Sequence, residues 1–117
     1  MKVSTYCRYQ INGGDFVYLE GFKIVLVGGD NFFGVVPETA STGIPVQGFL
    51  LFGIENSIVH VLDLNFPEYS CQTESGLAVE YEEFNSNGKG EPIVASFGGT
   101  CEADQFWIEL SGILSHE

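Results

Sequence analysis

A chain of 117 residues has room for one hydrophobic core and little more, so a single domain over residues 1–117 is expected. Apolar residues make up 44% of it and aromatics 14%, which supplies enough buriable surface to argue against disorder. A formal net charge of −12, with only four scattered cations (Lys2, Arg8, Lys23, Lys89), predicts no binding to nucleic acid or to an anionic membrane. Both need clustered Lys and Arg.

In chain order, Val3, Thr5, Cys7 and Tyr9 alternate with Lys2, Ser4, Tyr6, Arg8 and Gln10, the period of a half-buried strand. Asn12-Gly13-Gly14-Asp15 supplies the positive-φ positions of a tight turn, and Phe16 to Leu19 then pairs back as a hairpin. Phe22 to Val27 reads as a buried strand ending at Gly28-Gly29-Asp30, with Phe32 to Val36 returning. Pro37 to Gly48 has no clear period and is expected to be a loop. Gly48 to Ile54 and Ile58 to Leu64 flank Glu55-Asn56-Ser57 as a further hairpin, with Ile58, His60, Leu62 and Leu64 on one face.

Asn65 to Gly76 is loop-like, with Pro67 as its breaker. Leu77, Val79 and Tyr81 then alternate with Ala78, Glu80 and Glu82 up to Phe84, and Asn85 to Gly90 is a strong turn leading through Pro92 into Ile93 to Phe97. The segment 101–114 fits a helical stripe through Ala103, Phe106, Trp107 and Leu110, but also a strand through Phe106, Ile108 and Leu110. The strand is preferred because aromatic and β-branched residues are frequent there. The Gly-Gly pairs at 13/14, 28/29 and 98/99 are assigned to turn chemistry rather than to a repeat. The expected fold is therefore mostly β: an antiparallel barrel or sandwich of short strands and hairpins with at most one substantial helix.

Cys7, Cys71 and Cys101 form no CxxC pair and leave one thiol unmatched, a poor disulfide framework, so a reducing compartment is expected. With no apolar leader after Met1 and no apolar run of membrane length, the chain is assigned to the cytoplasm.

Chemistry-bearing patterns are sparse. Residues 28–34 are glycine-rich but lack the Gly-Lys-Ser/Thr of a phosphate loop, so a turn is the simpler reading. His116 lies beside the C-terminal residue, which leaves His60 with one of the three cysteines as the only cysteine–histidine combination. A packed histidine is the more common outcome. His60 and Asp63 have opposite strand parity and make a poor metal pair. Glu80, Glu82 and Glu83 read as a solvated face. No cofactor or metal is expected.

Ten Phe, five Tyr and one Trp exceed what a small β core holds, so some are expected at an interface or a pocket. The contiguous apolar runs nominate Phe32, Phe33, Phe49, Phe52 and Trp107. The functional expectation is a non-catalytic binding or interaction module that self-associates, with a small apolar ligand as the other occupant of an aromatic-lined pocket. The alternatives are an acidic inhibitor or nucleic-acid mimic aimed at a basic protein, and an enzyme using His60 with a cysteine.

Overall fold

The computed structural model describes residues 4–27, 32–40, 48–71 and 77–115. Ten strands run in order: β1 Tyr6–Ile11, β2 Val17–Tyr18, β3 Phe22–Val27, β4 Phe32–Pro37, β5 Leu50–Glu55, β6 Ile58–Phe66, β7 Tyr69–Cys71, β8 Leu77–Ser86, β9 Pro92–Cys101 and β10 Asp104–Ile113. No helix occurs among the described residues, so none is long and apolar enough to cross a membrane. The turn expected at Gly28–Asp30, the middle of the Pro37–Gly48 connection, residues 72–76 and His116 lie outside the described residues.

The strands form one antiparallel sheet in the order β2-β1-β10-β9-β8-β6-β5-β4-β3, with β7 added on β6. The sheet curls into a half-barrel until β3 meets the tail of β10, where Ile24 and Leu114 form a parallel bridge and the Ser115 N–H donates to the Ile24 carbonyl at 2.8 Å. This is the mostly-β antiparallel architecture that the alternation predicted. The segment 101–114 holds the end of β9, a two-residue turn and the strand β10 rather than a helix, and the β9–β10 hairpin pairs Asp104 with Cys101 and Ile113 with Pro92.

Local chemistry accounts for the hairpins. Asn56 and Ser57 both have positive φ (53° and 62°), the requirement of the tight two-residue turn between β5 and β6. The interior is filled by alternate residues. Phe52 and Phe97 are fully buried with ring centroids 5.0 Å apart. Phe33 and Phe84 pack edge-on at 5.3 Å, and Tyr9 lies flat on Phe66 at 4.2 Å. Much of the aromatic surplus is thus absorbed by the core.

Three expectations need correction. Register shifts between Leu51 and Phe52 and between Tyr81 and Glu83 break strict alternation, because a bulge adds a residue and reverses the facing beyond it. In β6, Ile58, His60, Leu62 and Leu64 therefore do not share one face: Val59 and Val61 are buried before the shift, and Leu64 and Phe66 after it. The Asn65–Gly76 stretch contains β7, which folds back on β6 through Leu64↔Cys71 and Phe66↔Tyr69. Gly98 and Gly99 are not turn residues but lie inside β9.

Cys71 and Cys101 form a disulfide across 6.6 Å between Cα atoms, and Cys7 is the free, buried thiol. One thiol is left unmatched, as the odd count requires, but the other two do pair, which the reading of a poor disulfide framework did not expect. Cysteine counting cannot reveal that the β6–β7 return brings Cys71 to the β9–β10 turn.

Candidate functional site

The outer face of β8, β9, β10 and β1 carries the most organised set of side chains. Register aligns Glu80, Gly98, Trp107 and Gln10 in one lateral row across the four strands. A second row pairs Thr100 with Gln105. A third runs through Ser96, Glu109, Arg8 and Tyr18 on β9, β10, β1 and β2. Together the first two rows line an open groove of about 670 Å³, with Val79, Gly99 and Phe106 also in its lining.

Trp107 is fixed from two sides. A Cβ on Gly98 would stand 2.6 Å from its Cε3, so the indole rests directly on the β9 backbone, and only glycine leaves that space. Its Nε1–H donates to Glu109 Oε2 at 2.7 Å. The other oxygen of Glu109 accepts from Arg8 Nε at 2.9 Å and lies 2.7 Å from Arg8 Nη2. Partial burial pushes the Glu109 carboxyl up, but the hydrogen bonds from Trp107 and Arg8 and the guanidinium charge outweigh it and hold the group below its ordinary value. Arg8 is in turn braced by the Tyr18 hydroxyl at 3.0 Å and by the Phe16 ring, 3.9 Å from its guanidinium carbon.

Around this plate the groove offers free polar groups. Gln10 donates to the Gly14 carbonyl at 2.8 Å, which leaves its amide oxygen open. Glu80, Thr100 and Gln105 are exposed. Among the described residues, none of the three has a side-chain partner.

The nominated aromatics do not share one surface. Phe33 and Phe52 are core residues, 7% and 0% exposed. Phe32 is half-buried on β4, five strands from Trp107 in the sheet order. Phe49 lines a separate cleft of about 350 Å³ beside Tyr9 and Pro67. The Tyr9 hydroxyl there is buried without a hydrogen bond of acceptable geometry, although the nearby Glu68 backbone partly offsets the rise that burial imposes on the phenol. Trp107 alone of the five belongs to the groove. No local pattern unites Gln10, Glu80, Gly98, Thr100 and Gln105 as a site; the one sequence signal is Gly98-Gly99 within a strand pattern, which marks close approach of another group to the backbone.

The structure does not assemble the His60–cysteine pairing. His60 alternates with the buried Val59 and Val61 and so faces outward on β6. Cys71 and Cys101 are bonded to each other, and burial pushes the Cys7 thiol up to about 12, far from the thiolate that a nucleophile requires. Among the described residues no cluster of three metal-ligating side chains occurs.

Comparison with known protein families, curated proteins and solved structures finds no match for this chain, and its function is therefore read from the groove itself.

Proposed function

We propose that this protein is a non-catalytic binding module whose binding face is the outer surface of β8, β9, β10 and β1, centred on Trp107. The single observation that carries the reading is the fixed indole. A large aromatic is held against a glycine backbone and tied through Glu109 to Arg8, beside Glu80, Thr100 and Gln105, which have no side-chain partner among the described residues. Rigid aromatics with two χ angles bind at low entropic cost, and pre-orientation of this kind is what a recognition surface gains from. Amide chemical shifts recorded against a fragment panel of neutral sugars, ammonium compounds and aromatic acids test it. Shifts centred on residues 10, 80, 98–100 and 105–107 are expected. Shifts centred instead on the half-barrel mouth at Phe33, Tyr81 and Phe84 would overturn it.

Self-association is the second reading, supported by the outward faces of β3 to β5, where Val27, Phe32 and Leu51 are half-buried. Its area is smaller than the apolar runs implied. Val25 and Val36 are already 3% and 2% exposed, Lys23 Nζ donates to the Ala40 carbonyl at 2.8 Å, and a Cβ on Gly48 would meet Val36 Cγ1 at 2.8 Å. Ala40 and Gly48 thus already sit against this face and take up part of it. Light scattering at low and high salt decides: association should strengthen as salt screens two chains of charge −12, and a monomer under both conditions removes the reading. On compartment, the bonded Cys71–Cys101 pair supports an oxidising environment in preference to the cytoplasm.

A further inference from the structure

Resting on the binding-face reading, we propose that the Trp107 groove takes a pyranose unit of an uncharged oligosaccharide. A pyranose ring has an apolar C–H face and a belt of edge hydroxyls, each both donor and acceptor. It is matched by a flat aromatic plate ringed with mixed hydrogen-bonding groups.

Trp107 supplies the plate, with one side seated on Gly98 and its N–H already satisfied by Glu109. Stacking on it therefore leaves no polar atom unpaired. Around it stand the Glu80 carboxylate, which only accepts, and the Thr100 hydroxyl and Gln105 amide, which donate and accept. The open amide oxygen of Gln10 completes the ring. At about 4.8 Å per strand, the row from Glu80 to Gln10 spans about 14 Å. That is longer than one sugar ring and suits a short chain laid across the strands.

Competing ligand classes fit less of this surface. Among the described residues no cation lines the groove, so a phosphate or carboxylate would face Glu80 and a net charge of −12 with no lining cation to offset the repulsion. A wholly apolar ligand would strip water from Glu80, Thr100 and Gln105 without replacing its hydrogen bonds. An ammonium compound would use the indole face and Glu80 but would leave the Thr100 and Gln105 groups idle.

Trp107 is the only tryptophan in the chain, so its emission reports on the groove alone. The full chain is titrated with neutral oligosaccharides of glucose, of mannose and of N-acetylglucosamine, and in parallel with tetramethylammonium, each at low and high salt. At least one oligosaccharide should change the emission saturably, with an affinity that salt does not alter. By calorimetry, Trp107→Ala should weaken that binding at least about tenfold, as loss of an aromatic stacking plate does elsewhere. The exposed changes Glu80→Gln and Gln105→Ala should weaken it several-fold with the thermal unfolding curve unmoved. A sugar that binds equally well to all three variants overturns the site. A saturable response to tetramethylammonium alone, lost as salt is raised, overturns the sugar class and leaves the binding face standing. Silence toward every probe, together with fragment shifts that map elsewhere, overturns both.

Discussion

Opening the Cys71–Cys101 bond should cost this protein much of its thermal stability. The bond closes a chain segment with a sequence separation of 30. Loop-closure entropy for that length is about 12 cal/mol/K, or about 3.6 kcal/mol at 25 °C. For a chain of 117 residues the unfolding entropy is about 250 cal/mol/K near the midpoint, so the melting temperature should fall by about 15 °C. Circular dichroism melts with and without a phosphine reductant measure this, with Cys71→Ala/Cys101→Ala as the genetic equivalent. Thiol titration supplies the check on chemistry: the native protein should react with none, because Cys7 is buried, and the unfolded, unreduced protein with one. Cys7→Ala should lose that one thiol and keep its response to reductant. Three reactive thiols in the unfolded, unreduced chain, or a melting curve that reductant leaves in place, would refute the bond.

Glu109→Gln should loosen both Trp107 and Arg8. Because the folded carboxyl is held below its ordinary value of 4.5, its stabilising contribution is present above that pH and is lost as pH falls through the lowered folded value. The gap between wild type and variant should shrink on acidification, and a constant gap across urea melts over that range counts against the linkage. Gly98→Ala places a methyl 2.6 Å from Trp107 and 2.8 Å from the Phe106 carbonyl. It should cost about 1–3 kcal/mol and redden the tryptophan emission as the ring lifts off; unchanged emission would show that the indole does not rest there. Phe52→Ala empties the centre of the Phe33, Phe84 and Phe97 cluster and should cost about 3–5 kcal/mol in chemical denaturation. A loss no larger than that of a surface change would mean the core is not packed as described.

The hairpins were legible because their turns carry local chemistry: Asn56-Ser57 and the Asn85–Gly90 cluster announce themselves whatever the rest of the chain does. Facing was less legible. Alternation predicts burial only while the register is unbroken, and the shifts at Leu51/Phe52 and Tyr81/Glu83 reversed it. Gly53 in β5 and Gly98-Gly99 in β9 lie beside them, but an interior glycine does not say which residue of the facing strand is left unpaired. The groove was legible only through Trp107. Its other members come from β1, β8, β9 and β10, and nothing in a linear pattern says that Gln10 lies beside Trp107 and that Glu80 lies across Gly98. The same long-range register hides the Arg8–Glu109 pair, whose partners are 101 residues apart.

The position of β10 governs how this chain reaches its native state. It is the last strand in sequence, yet it lies between β1 and β9, with Tyr6 opposite Ser111 on one side and Ile113 opposite Pro92 on the other. During synthesis β1 therefore waits beside a gap until residues 104–114 have left the ribosome, with its pairing edge open to other strands. Contacts that span nearly the whole chain make for slow folding, because a loop of that length must close before they return any free energy. A nascent chain halted before Asp104 should expose that edge and aggregate, whereas one extended past Leu114 by a flexible tether should close its half-barrel and become resistant to protease.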